Sequence, residues 1–311
     1  MNDYRLFGFA VRSVLNFDSQ LERIRCDQPD CEIVDSPVPF DEIEGDLWYE
    51  TPDTDAKTQR PHMLLYSSAR GALLSYPAFG QFEIQADHIR YYLNGDLDIQ
   101  TLEAILFRAA LILWLEWNNM PVMHASSVVI DDSAIGFLAE SAGGKSTLAA
   151  AFVSGGARLL ADDILPIRHT HEYQARPGYV FLRLRPETAA ALNFLNGRTF
   201  ETDPPKQVIR LSESRGQVCL DPTPLAALYF PVRRDDVAAI SIETMSPRQT
   251  YLRLLHYTFT GSILTRSPLM PRRMSFLAHL AKEIPIKRLV YPSGYEHLPA
   301  VVDAVRQDLG L

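Results

Sequence analysis

The residues able to do chemistry crowd into one short stretch. Lys145 and Ser146 follow paired glycines in "AESAGGKST", residues 139–147, and Asp162 and Asp163 arrive in "LLADD" with Asp162 only 17 positions after the lysine. Gly143 and Gly144 leave room for backbone N–H groups to converge on phosphate oxygens. A lysine so placed reaches β- and γ-phosphates, and the hydroxyl that follows it ligates Mg²⁺. Glu140, Ser141, Ala142, Gly143, Gly144, Lys145, Ser146 and Thr147 are therefore the candidate nucleotide site. Ala139 and Ala142 stand where such loops usually carry glycine, and a small side chain at the first position is tolerable while its φ stays negative.

A carboxylate beside the loop can bind Mg²⁺, accept the proton of an attacking hydroxyl, or do both. Adjacent residues on a strand face opposite ways, so one of Asp162 and Asp163 is expected to face the γ-phosphate. The other would hold a metal water or orient a partner. His124, in "PVMHASSVV", sits among apolar residues and reads either as a structural histidine or as a neighbour of Asp162 that tunes its pKa. Arg183 and Arg185 in "YVFLRLRPE" share a strand face, and with Lys206 they suit either a phosphate or acidic substrate, or plain solvation. His169 and His171 in "RHTHE" have no third ligand nearby in sequence, so no metal is expected there.

These groups need elements to hold them. "SAIGFLAE" is an apolar strand before the loop, and "KSTLAAAFVS" is a strong helix former closed by Gly155-Gly156. "ARLLADD" then reads as a strand, so a tight β-α-β unit would return the aspartates to the phosphate end. "VMHASSVVIDD" pairs with the loop strand through an Asp-Asp-Ser turn. Earlier, "YRLFGFAVRSV" and "HMLLYSSARGALLSYP" alternate with period two, and the polar "YETPDTDAKTQRP" between them reads as a loop. A long apolar helix capped near Asp98 follows and is the hinge between two expected domains: a β-rich unit over 1–118 and a catalytic unit over 119–311. "SPRQTYLRLLHYTF", "PRRMSFLAHLAKEI" and the chain end supply further helices. The fold class is α/β (α+β overall).

Composition bounds the function classes. The 311 residues are 47% hydrophobic and 22% charged with net charge −8, so no broad basic surface advertises nucleic acid. Three cysteines without ligand spacing, Cys26, Cys31 and Cys219, argue against a disulfide framework or zinc site and read as reduced thiols. The start lacks the pattern of a signal peptide, and "ILFRAALILWLEW" is too short to span a bilayer. A cytoplasmic protein with no membrane role is expected.

On "MHASSVVI" followed by "GFLAESAGGKSTLAAAFVSGGARLLADDI", the chain resembles the catalytic domain of HPr kinase/phosphorylase. More closely, it resembles the HPr-kinase-related proteins found beside peptide-modification genes. The short gap from Lys145 to "ADD" is the discriminating feature, shared with the related phosphoenolpyruvate carboxykinases. The resemblance is looser in "YRLFGFAVRSV", "PGYVFLRLRPETAAAL" and "IPIKRLVYP". It implies a phosphate-loop kinase domain, with ATP and Mg²⁺ as cofactors and a serine hydroxyl as acceptor. Asp162, Asp163 and His124 would be catalytic, and Ser146 and Asp163 the metal ligands; which aspartate is the base stays open. A homo-oligomer is implied in the same way. The Glu-(Ile/Val)-Arg-Gly-Leu-Gly signature of HPr kinases is replaced here by "PGYVFLRLRP". That points away from HPr itself and towards kinases of peptide serines, among them the C-terminal serine of lasso-peptide precursors. The residues alone equally accommodate a kinase of small hydroxyl compounds, or a nucleotide-sensing module that transfers nothing.

Overall fold

Period-two alternation over the first hundred residues is realised as strands β1 (Asn2–Leu6), β2 (Phe9–Ser13), β3 (Glu22–Ile24), β4 (Cys31–Asp35), β5 (Leu47–Glu50), β6 (Leu64–Ser67), β7 (Ala72–Tyr76), β8 (Gly80–Ile84) and β9 (His88–Leu93). They form one sheet in the order β3-β1-β2-β4-β9-β8-β7-β6-β5. The computed structural model describes residues 1–311 apart from 18–20, 41–44, 57, 180, 195–197, 201–204 and 260. The chain is mixed α/β and divides into two units, 1–122 with 260–275, and 123–259 with 276–311.

In the first unit the sheet is followed by the apolar helix. Asp98 caps it, its carboxylate accepting from Thr101 N at 2.9 Å. The helix runs as α1 (Ile99–Ile105), a π turn over Leu106–Ala110, and α2 (Leu111–Trp117). Every residue from Leu111 to Glu116 is buried, including the carboxylate of Glu116. Arg273, from the returning segment 260–275, compensates that charge with Nη2 at 2.9 Å.

The second unit is assembled from β10 (Val122–Met123), where the chain passes between units, then β11 (Ala125–Ile130), β12 (Ser133–Leu138), α3 (Lys145–Ser154), β13 (Arg158–Ala161), β14 (Leu165–His169), β15 (Tyr173–Ala175), β16 (Phe181–Leu184), α4 (Pro186–Ala191), β17 (Arg198–Phe200), β18 (Lys206–Arg210), β19 (Thr223–Arg234), β20 (Ser241–Thr244), α5 (Pro247–His256), α6 (Leu269–Glu283), β21 (Ile286–Pro292) and α7 (Leu298–Asp308). Helix α6 begins in the segment assigned to the first unit and ends in the second. The main sheet has the order β10-β14-β15-β19-β12-β11-β13, with β21 beside β19 and β20 beside β21. Strands β16, β18 and β17 form a small separate sheet.

The expected β-α-β unit is present, with β11 lying between its parallel strands β12 and β13. Asp131 and Asp132 turn the β11–β12 hairpin with φ of 43° and 56°, the left-handed pair of a tight hairpin whose twist matches its strands. Alanines and large apolar residues alternate round α3, so it is buried on nearly all sides, against Phe137, Tyr229 and the α7 residues Val301 and Val305. Leu148 and Phe152 are fully buried, each contributing about 1.5–3 kcal/mol relative to exposure. Gly156 ends the helix at φ 90°, letting Ala157 N reach Phe152 O at 3.0 Å. None of the three cysteines is in a disulfide. Among the described residues no helix is long and apolar enough to cross a membrane.

Candidate functional site

Strand β12 delivers Ala139, buried to 5% exposure, to the start of the loop. A Cβ added at Gly143 would lie 2.6 Å from the Ala139 Cβ and 3.0 Å from Glu140 O. The unusual alanine is therefore accommodated by the glycine four positions on. Gly143 N donates to Glu140 O at 3.0 Å and closes the turn. Ala142, at φ 64°, and Gly144, at φ 91°, are both left-handed, and Gly144 caps α3 without any side-chain partner. Leu148 N is the first to bond back, to Gly144 O at 2.9 Å. The N–H groups of Lys145, Ser146 and Thr147 thus stand at the N-terminus of a ten-residue helix, the end whose dipole and free donors suit an anion.

Lys145 is buried, and its Nζ donates to Ala139 O at 2.6 Å and Glu140 O at 2.9 Å and lies 3.0 Å from His124 Nε2. Burial pushes the amine below the usual lysine value, against the pull of Asp163 and Asp162, and the positive charge of Lys206 pushes in the same direction as burial. An ammonium only donates, so His124 accepts at Nε2 and its proton sits on Nδ1. That nitrogen is 3.1 Å from Asp163 Oδ1 and 3.3 Å from Asp163 O. His124 is fixed by its backbone N on Tyr257 O at 2.8 Å and by the edge of Phe259 at 5.9 Å. Lys145, His124 and Asp163 form one continuous hydrogen-bonded chain.

The two aspartates have different surroundings. Asp162 is 2% exposed; its Oδ1 accepts from Ser126 Oγ at 2.5 Å and Ser146 Oγ at 2.8 Å, and its Oδ2 from Arg183 N at 3.1 Å. Burial raises its pKa above the ordinary carboxylate value, and the three hydrogen bonds oppose that shift. Asp163 is about one-third exposed, with His124 on one oxygen and Arg183 Nη1 at 3.7 Å on the other. Strand alternation does not separate the pair, because β13 stops at Ala161 and Asp163 turns left-handed at φ 76°. Both carboxylates therefore face groups of the loop system. Ser146 meets Asp162 rather than Asp163, and His124 meets Asp163 rather than Asp162.

Arg183 joins this cluster twice, through its backbone N to Asp162 and its guanidinium to Asp163. Leu182 and Leu184 bury their side chains in the core beneath, leaving Phe181, Arg183 and Arg185 on the outer face of β16. Arg185 lies just past the strand, exposed, with Glu187 at 3.9 Å. Lys206 opens β18, and the register Arg183↔Val208 puts it on the same face as Arg183. Glu140 is exposed and meets His256 Nε2 at 3.2 Å, while Ser141 and Ala142 are exposed and Thr147 is part-buried. Ser126, on β11 two positions after His124, is a site residue that the sequence reading misses. Tyr291, whose hydroxyl would lie 3.2 Å from a Cβ at Gly144, and His256 carry no sequence signal. His169 packs on Tyr173 at 4.4 Å and lies 4.0 Å from Glu283, and the described residues contain no cluster of three or more metal-ligating side chains.

No protein-family model and no curated protein matches the chain. Among solved structures, the Hpr(Ser) kinase/phosphatase from Coxiella burnetii is similar over 61% of this chain and 97% of that one, with a TM-score of 0.32 and 13% identity.

Proposed function

We propose that the chain is an ATP-dependent kinase of the HPr kinase/phosphoenolpyruvate carboxykinase type, which transfers the γ-phosphoryl group to a serine hydroxyl of a peptide or protein. The observation that carries this reading is the joining of Ser146 to Asp162 at 2.8 Å at the N-terminus of α3, with the Lys145–His124–Asp163 chain alongside. A hydroxyl and a carboxylate oxygen so close together, at the phosphate end of a helix, are a hard oxygen donor pair suited to Mg²⁺. When bound, Mg²⁺ neutralises charge on the β- and γ-phosphate oxygens.

The protein's own residues divide the remaining work. Backbone N–H groups of Lys145, Ser146 and Thr147 bind phosphate oxygens, and Lys145 leaves the carbonyls of Ala139 and Glu140 to lie on the phosphates. Asp162 orients Ser146 and accompanies it on the metal. Asp163, more exposed and oriented by His124, is the base that takes the proton of the serine hydroxyl. The new bond joins serine oxygen to the γ-phosphorus, the bridge to the β-phosphate breaks, and ADP departs. Arg183, Arg185 and Lys206 border the acceptor side. The C-terminal serine of a lasso-peptide precursor is the acceptor we favour within the class.

Mass spectrometry of acceptors incubated with Mg-ATP tests this. Serine-bearing peptides should gain one phosphoryl group while free serine and sugar alcohols do not. Modification of the small compounds alone would place the acceptor in that class, and ATP binding without any transfer would leave a nucleotide sensor.

A further inference from the structure

One buried hydroxyl from outside the loop is aimed at the N-terminus of α3. Tyr291, near the end of β21, is 3% exposed, and its ring belongs to the same core as Phe137, Leu148 and Phe152. A Cβ built on Gly144 would lie 3.2 Å from the Tyr291 hydroxyl, and no other non-neighbouring atom of the described residues comes within 4 Å of that position. Glycine at 144, left-handed at φ 91°, therefore keeps the hydroxyl uncovered where the helix opens. That hydroxyl has no hydrogen-bond partner among the described residues, and its oxygen is not sealed off from solvent. A polar group so deeply set is costly to leave unpaired, and a tyrosine hydroxyl keeps its proton at neutral pH, so it can donate. The main sheet puts it on a definite flank of the loop. Strand β12, which carries the loop, has β11 and β13 on one side and β19 and β21 on the other. His124 precedes β11 and the two aspartates follow β13, whereas Tyr291 lies on the opposite flank. Strands β19 and β21 run parallel to β12, so Tyr291 stands at the loop end of the sheet.

We propose, on the kinase reading above, that Tyr291 is a nucleotide-binding residue: its hydroxyl donates to an oxygen of the phosphates that ADP retains. It thereby fixes the direction in which the nucleotide crosses the loop. With Asp163 as the base, the γ-phosphorus lies on the β11–β13 flank, within reach of that carboxylate. The rest of the nucleotide then leaves the loop on the other flank, over β19 and β21, where Tyr291 meets it. The free N–H groups of α3 hold the phosphates from below, and the hydroxyl holds them from the side. A contact made equally to substrate and product serves binding and orientation, not the chemical step.

Tyr291→Phe removes one oxygen and leaves the ring in the core. Isothermal titration with Mg²⁺ compares ADP and a non-hydrolysable ATP analogue on wild type and on this variant. Losing one hydrogen bond to a charged oxygen should weaken both nucleotides about tenfold or more, by factors that agree within about twofold. The nucleotide-free variant should melt with wild type, because the hydroxyl has no partner to lose. A structural hydroxyl would instead lower Tm by about 2–4 °C. In the kinase assay KM for ATP should rise while kcat at saturation stays within about threefold. Unchanged binding, a loss confined to the ATP analogue, or the lower Tm of a structural hydroxyl overturns the role of Tyr291 and leaves the kinase reading intact. Wild type that binds both nucleotides but phosphorylates no serine peptide overturns the kinase reading, while the titration still decides Tyr291. Failure of wild type to bind either nucleotide overturns both.

Discussion

Replacing Asp163 by asparagine separates chemistry from folding at a single atom. Asparagine keeps the shape, and its Oδ1 still accepts from His124 Nδ1 at the 3.1 Å position. Asp163 sits at φ 76°, a conformation that asparagine adopts at less cost than alanine. The lost ion pair with Arg183 joins two side chains each about one-third exposed, at 3.7 Å, and is worth at most about 1 kcal/mol. Asp163→Asn should therefore melt close to wild type. A general base contributes about 10²–10⁴ in rate, so kcat should fall by that factor, equivalent to roughly 2.7–5.5 kcal/mol of barrier. Asp163→Ala should lose the same activity and also pay about 1–2 kcal/mol for the left-handed turn. That would lower Tm by roughly 2–8 °C for a domain of this size. Thermal denaturation beside steady-state kinetics reads both effects. An asparagine variant retaining kcat within about threefold, well short of a lost general base, would refute the assignment of Asp163.

Other consequences are equally measurable. Burial raises the folded pKa of Asp162 above 3.8, so its contribution to stability is full below that value and is lost as pH rises through the folded pKa. The Tm of Asp162→Asn relative to wild type, without Mg²⁺ or nucleotide, should become more favourable as pH is raised from about 4 towards neutrality; a flat or falling difference contradicts the placement. Arg273→Ala should cost about 3–5 kcal/mol by stranding the buried Glu116 carboxylate, read as a large loss in chemical denaturation. Gly143→Ala should impair nucleotide binding because its Cβ meets Ala139 at 2.6 Å. Adding Ala139→Gly should restore part of it, the 3.0 Å approach to Glu140 O remaining.

What the sequence discloses and what it withholds follow from distance along the chain. The loop, α3, and the returning β13 are local, and their glycines, apolar runs and the Asp131-Asp132 turn each encode their own geometry. The Asp98 cap and the capping box of Ser246 and Gln249 on α5 are likewise short-range signals. The division of labour between Asp162 and Asp163 is not, because it depends on a left-handed turn at Asp163 and on partners far along the chain, His124 and Arg183. The pairing of Glu116 with Arg273 joins residues far apart in sequence, and no periodicity announces it. The same holds for Tyr291 beside Gly144 and His256 beside Glu140. The π turn over Leu106–Ala110 also hides in a run that reads as uniform helix.

The central claim is that this loop and its carboxylates move a phosphoryl group. ATP labelled at the γ-phosphate, incubated with the protein, Mg²⁺ and a serine-terminated peptide, tests it directly. Label should appear in the peptide as an equal amount of ADP forms, and Lys145→Met should abolish both. ATP that stays bound with its label in place, or label transfer unchanged by Lys145→Met, would contradict it.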